Sequence, residues 1–299
     1  MYLPTFARAY PPGYQFTAAR RRTLLHGLLL GSAFVSIALV WYGFRPMWGS
    51  IGGDSFAYWN VDAADPYGAW FSGNGEFLYS PVAAQLMSVF HLLPWEVFRF
   101  AWIVALAIVA ARLAGWWVLL LPVVLLEVFP GNIHILLAAA IVIGFRHPAA
   151  WSVVLLTKVT PGVGLLWFAA RREWRSLGIA LAATVVIAAI SFAYAPALWL
   201  DWVSQLLGDP TRVALGAVTI PFAVRAPLAA LLVTWGARTD RRWTVPVAAM
   251  LAVPNLWLGS FAMVIAVVPL MRPPRASTTA PNPRREDRSQ PDQGLRGRR

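Results

Sequence analysis

Asp54, Asp62, Asp65 and Glu76 fall within one polar stretch, GGDSFAYWNVDAADPYGAWFSGNGEFLYSP (Gly52–Pro81), of a chain that holds only 13 acids in all. A carboxylate beside an apolar boundary becomes more basic as water is stripped from it, which suits a general base acting on a hydroxyl. Asp54 meets that description. Gly52-Gly53 let the backbone turn tightly beside it, and Phe56, Tyr58 and Trp59 are aromatics that belong at a membrane interface. Asp65-Pro66 reads as a turn, which gives the acids near it a structural role as well. Several oxygens of this stretch could ligate a divalent cation, but no metal-loop spacing is present, and no metal is expected. FLYSPVAAQLM (Phe77–Met87) opens an apolar element with Pro81 in its first turn. Tyr79 and Ser80 then lie at the outer interface, as substrate contacts or as an anchor.

Lys158 is the only lysine of the chain and sits inside the apolar run LLTKVTPGVGLL. A charge there costs several kcal/mol unless it lines a cavity or has a partner. Pro161, Gly162 and Gly164 loosen the helix beside it and expose backbone groups to a ligand. Two roles follow for Lys158: pairing with a carboxylate such as Glu127, or binding a ligand phosphate. EVFPGNIHILL (Glu127–Leu137) gathers Glu127, Asn132 and His134 around a Pro-Gly break, where polar groups must face protein or water. His134 is a hydrogen-bonding or acid/base side chain. H-E-x-x-H, P-loop, G-x-S-x-G and dinucleotide fingerprints are all missing, so neither nucleotide hydrolysis nor a soluble nucleotide-sugar fold is signalled.

Lipid-compatible elements must position these groups. The 299 residues are 59% hydrophobic and 13% charged, with a mean hydropathy of +0.59, against about 45–50% and about 25% in soluble domains. The net charge of +12 is almost all arginine. The arginines cluster at the ends of apolar runs, as topology signals and lipid contacts do, so no nucleic acid is expected as a partner. There is no cysteine, which excludes disulfides and thiol chemistry.

Residues 1–23 end in Arg20-Arg21-Arg22 and form a cytoplasmic segment; the run from Leu24 to Tyr42 is an uncleaved anchor that delivers residues 43–81 to the outer face. Apolar runs follow at Val82–Leu93, Val97–Ala111, Trp116–Phe129, Ile133–Phe145, Trp151–Ala170, Leu177–Tyr194, Val213–Trp235 and Val245–Leu270. An amphipathic connection spans Leu198–Arg212. Several of these are short for a span, so tilted, broken or re-entrant helices are expected. If Arg171–Arg175 and Arg238–Arg242 share the cytoplasmic side with the N-terminus, an even number of crossings separates them. The reading is an all-α polytopic membrane domain over 24–271 with about 8–11 transmembrane or re-entrant helices. A disordered basic tail follows over 272–299.

The order GGDSFAYW, FLYSPVAA, GNIHILL, KVTP ahead of a basic turn resembles glycosyltransferase family 87, the DUF2029 group, which includes actinobacterial mannosyltransferases. The resemblance implies a GT-C bundle in the plasma membrane with its active site on the extracytoplasmic side. It implies a polyprenyl-phosphate hexose (mannose) as donor, a lipid or glycan as acceptor, membrane lipids as surroundings, and no cofactor. Asp54 matches the family's catalytic Asp in the first external loop. Phe77, Tyr79 and Pro81 match its loop-to-helix motif, with Ser80 where a second proline is common. Gly131 and Asn132 match its Gly-polar pair, and Lys158 with Pro161 its K-x-x-P element. Asp54 is then the base and Lys158 the cation at the departing phosphate, with Tyr58, Asp62, Glu76, Tyr79, Asn132 and His134 as substrate contacts. The rival readings are a transporter or flippase with Lys158, Glu127 and His134 along its pathway, and a scaffold without activity. The first calls for inverted repeats, and none is visible.

Overall fold

The computed structural model describes residues 26–34, 38, 51–67, 77–207 and 220–271. Among them every regular element is a helix. Residues 26–34 form α1 and Gly53–Trp59 form α2; α3 is Pro81–Met87, α4 Trp95–Ala114, α5 Pro122–Val128 and α6 His134–Gly144. The chain continues with α7 (Trp151–Thr157), α8 (Leu166–Ala170), α9 (Trp174–Tyr194), α10 (Pro196–Leu207), α11 (Phe222–Arg238), α12 (Thr244–Leu251) and α13 (Val267–Met271). Tighter 3-10 turns join several of them, at Trp116–Leu120, Thr160–Leu165 and Leu258–Ala266. Prolines begin many of these short pieces (Pro81, Pro122, Pro161), as expected of a residue without an N–H to donate.

Among the described residues two helices, α4 and α9, are long and apolar enough to cross a membrane. In a soluble core such helices would be buried. Here only 28% of α4 and 11% of α9 is covered by protein, so their apolar surfaces call for lipid. Between helices the packing relies on small residues that admit large ones. A Cβ added at Gly144 would lie 2.6 Å from the indole nitrogen of the fully buried Trp151, the kind of close approach that holds helices together in lipid.

The two basic clusters meet. Arg171 Nη1 donates to Asp240 Oδ1 and to the Ala237 carbonyl, both at 3.0 Å, and Arg242 stacks over Phe145 just past the end of α6. Along the chain α9, α10 and α11 lie between the two clusters, so the segment that leaves Arg175 returns to the same arginine-rich end by Arg238. Between them α10 lies across the opposite end, where Trp202 Nε1 donates to the Leu78 carbonyl. His134, at the first turn of α6, is about 16 Å of helix away from the arginine-rich end.

The run Trp151–Ala170 is not one helix. It divides into α7, a 3-10 turn and α8, and the break falls on Lys158 itself, which adopts an extended conformation (φ −128°, ψ 106°). Pro161 supplies the reason: it offers no N–H to the Thr157 carbonyl, so the α-helical ladder stops there. The run Val245–Leu270 is interrupted after Leu251, ahead of the expected Pro254-Asn255 break, and Arg225 satisfies the freed backbone. Its guanidinium donates to the carbonyls of Ile220, Leu251, Val253 and Pro254 at 2.6 to 2.8 Å.

Candidate functional site

Asp54 lies in the first turn of α2, a helix preceded by Gly52 in the left-handed region (φ +84°). The α2 start is stitched to the α5–α6 turn by backbone bonds: Gly52 N–H to the Phe129 carbonyl (2.8 Å), Asp54 N–H (2.9 Å) and Ser55 N–H (3.1 Å) to that of Pro130. Gly131 makes this approach possible. Its φ is +81°, and a Cβ there would sit 2.7 Å from the Ser55 side chain. Trp102 of α4 donates its indole N–H to the Gly131 carbonyl at 2.7 Å and fixes the turn from the other side.

That turn delivers Asn132 to Asp54. Asn132 Nδ2 donates to Asp54 Oδ2 at 2.7 Å. The amide orientation is settled by its other end, where Oδ1 accepts the Ile133 N–H at 2.7 Å and the Tyr58 hydroxyl at 3.5 Å. The phenol oxygens of Tyr58 and Tyr79 are 2.9 Å apart, one donating to the other, and the Lys158 ammonium stands 5.8 Å over the Tyr79 ring. A continuous polar path therefore leads from Asp54 through Asn132 and the two tyrosines to Lys158.

Asp54 keeps an open edge at the surface while protein encloses the rest of its surroundings. That burial holds its carboxyl above its ordinary value; the Asn132 hydrogen bond opposes the rise, Glu127 adds to it, and Lys158 opposes it. Burial likewise pushes the phenols of Tyr58 and Tyr79 up, so both stay protonated donors at neutral pH. An exposed edge, a tuned carboxylate and a cation on one polar path suit removal of a proton from a hydroxyl together with charge stabilisation on an anion.

Behind the path is a second one. Glu127, at the end of α5, accepts from His134 Nδ1, and His134 Nε2 lies 2.8 Å from Lys158 Nζ. Ser260 Oγ reaches the same Nε2 at 3.3 Å. Among the described residues Lys158 and Glu127 form no direct ion pair: His134 stands between them, joining the two residues that a pairing would have placed in contact.

Ser80, at the position where a second proline is common, has its own partner. Its hydroxyl donates to the Leu156 carbonyl, next to the end of α7 and two residues before Lys158. A proline there would leave that terminal carbonyl without this donor.

The candidate residues separate into those gathered here and those that are not. Asp54, Tyr58, Tyr79, Asn132, His134 and Lys158 come together. Asp62 is exposed and accepts the Ala64 N–H at 2.8 Å, a local turn contact. Asp65 is also exposed, and Glu76 lies outside the described residues. Ser260 and Trp102 were not among the candidates. A serine inside the apolar run after Trp257 was the available signal for the first; nothing in the spacing marks Trp102. Among the described residues no three His, Asp or Glu side chains converge as metal ligands would.

The model of glycosyltransferase family 87 matches residues 77–281, well over half of the chain. The match takes in Tyr79, Glu127, Asn132, His134, Lys158 and Ser260, and begins after Asp54, Tyr58 and Asp62. No curated protein and no solved structure matches.

Proposed function

The chain belongs to glycosyltransferase family 87, and we propose that it moves a hexose, mannose foremost, from a polyprenyl phosphate to a lipid or glycan acceptor on the extracytoplasmic side of the plasma membrane. The acceptor hydroxyl gives its proton to Asp54 as its oxygen bonds to the anomeric carbon. The bond from that carbon to the phosphate oxygen breaks with inversion, and the polyprenyl phosphate departs with the electron pair next to Lys158. Positive charge at the departing oxygens and a base at the attacking one are the two demands of such a displacement.

The observation that carries this reading is the path Asp54–Asn132–Tyr58–Tyr79, which ends beneath the Lys158 ammonium. It ties one base to one cation. Tyr58 and Tyr79 supply hydroxyls, and the aromatic surround (Phe77, Trp102) supplies faces of the kind sugars stack on. The outward placement draws support from the joined clusters Arg171–Arg175 and Arg238–Arg242. The positive-inside rule favours the cytoplasm for such a basic end, and it lies at the other end of α6 from His134. We read the shorter apolar helices around α4 and α9 as the remaining transmembrane or re-entrant pieces of a GT-C bundle.

The test is transfer itself. Purified protein in liposomes is given radiolabelled polyprenyl-phosphate mannose, glucose or galactose with a panel of lipid and glycan acceptors. Labelled product that depends on Asp54 is the expected result. Absence of transfer from every donor, with the protein folded and inserted, would sink the donor assignment.

A further inference from the structure

We infer that Glu127, acting through His134, is a positioning residue for the transfer step: it fixes the imidazole tautomer that holds Lys158 as the phosphate-binding cation, an inference that rests on the donor reading above. Both Glu127 and His134 are 1% exposed. Glu127 Oε1 accepts the His134 backbone N–H at 2.7 Å and its Nδ1 at 3.0 Å, and Oε2 is 3.1 Å from the same nitrogen. A carboxylate only accepts, so the ring proton is on Nδ1. In the neutral ring Nε2 is then a lone pair, and it faces Lys158 Nζ at 2.8 Å and Ser260 Oγ at 3.3 Å. A proton on Nε2 would set N–H against ammonium. The row therefore reads carboxylate, neutral imidazole, ammonium, with each member oriented by the one behind it.

This row explains two otherwise costly features. A buried carboxylate is tolerated because two N–H groups and the start of α6 face it. A lone lysine among apolar residues is tolerated because a fixed acceptor takes one of its three N–H donors. Among the described residues no other hydrogen bond uses the remaining two, which leaves them for phosphate oxygens. Gly259 closes the far wall: a Cβ there would meet Glu127 Oε2 at 2.7 Å and the Leu126 carbonyl at 3.0 Å, so the carboxylate has no room to swing away.

The chain's single lysine permits a test that does not need transfer. An amine-reactive reagent followed by peptide mass spectrometry reads Lys158 alone among the side chains, and farnesyl phosphate serves as a short donor-like probe. In the wild type the probe should slow labelling of Lys158. In Glu127→Gln and His134→Leu, with folding checked by gel filtration and melting temperature, half-protection should need roughly 10- to 100-fold more probe, by the measure of partners that orient a working histidine. His134→Gln should stay near wild type, because its amide can donate to Glu127 and accept from Lys158. Gly259→Ala should weaken protection with no charge altered, and it serves where Glu127→Gln fails to fold. A purely structural network would change the melting temperature but not the probe concentration that half-protects Lys158 in folded protein. If folded Glu127→Gln and His134→Leu label and protect as the wild type does, the positioning role is wrong. If farnesyl phosphate fails to protect even the wild type, the phosphate reading of Lys158 fails. In that case an unchanged labelling rate without probe in the variants would overturn the positioning of Lys158, and an altered rate would uphold it.

Discussion

Asn132 Nδ2 donates to Asp54 Oδ2 at 2.7 Å across 78 residues of chain. The contact joins the first turn of α2 to the turn before α6. It exists because Gly131 lets the two backbones nearly touch. In this way a carboxylate on α2 acquires an oriented donor and a route to the tyrosines and Lys158.

Replacing Asp54 by Asn should lower turnover by the roughly 10²–10⁴-fold typical of a lost general base, while expression and melting temperature hold. Steady-state transfer assays on the purified variant decide it. Near-normal transfer would move the proton to another group of the stretch Gly52–Pro81.

The pH dependence has a definite sign. Burial raises the Asp54 carboxyl, so its basic form is complete only above that raised value. With Asp54 as the proposed base, activity should be lost as pH falls through it, at higher pH than an ordinary carboxylate near 3.9 would give. The Asn132 hydrogen bond works against the rise. Asn132→Ala should therefore shift the acid limb of kcat/KM to still higher pH, and a shift to lower pH would contradict this account.

Lys158→Ala should cut kcat/KM for the proposed polyprenyl-phosphate donor while the acceptor KM is little changed. Lys158→Arg should recover only part, because a planar fork replaces a point charge beside His134. The double change Lys158→Ala with Glu127→Gln checks for a purely structural cation. Full transfer by that double variant would remove Lys158 from the chemistry.

Gly131→Ala forces a side chain onto a left-handed φ and into the Ser55 side chain at 2.7 Å. Strain of this kind costs on the order of 1–3 kcal/mol. Thermal unfolding in detergent should show a lower midpoint, and transfer should fall further than stability does, because the Asp54–Asn132 contact opens. Unchanged stability together with unchanged transfer would mean that the turn relaxes freely.

Single cysteines can be introduced into this cysteine-free chain at Ala64, near Asp62, and at Arg172. An impermeant thiol reagent applied to intact cells should label the first and spare the second. Labelling at 172 from outside would reverse the topology and the outward placement of Asp54.

What the sequence alone determined was chemistry by type and place. Asp54 after a Gly-Gly pair, Lys158 alone in an apolar run, and Asn132 and His134 around a Pro-Gly break are each conspicuous because lipid makes polar groups costly. The element start at Pro81 and the break beside Pro161 were legible for the same local reason, the missing N–H, whereas the division of Trp116–Phe129 at Pro122 emerged only in the structure. Which groups touch was a matter for the tertiary structure. A sequence can suggest that Lys158 needs a partner, but only the turn that joins α5 to α6 and the packing of α6 beside α7 put His134 between it and Glu127. Asp62 and Asp54 share one acidic stretch, yet Asp62 turns back onto Ala64 while Asp54 crosses to Asn132. Ser260 joins from the far end of the chain. Local chain stiffness and proline chemistry act over a few residues and leave a pattern in sequence. Hydrogen bonds between elements depend on how helices pack, and no spacing along the chain records that.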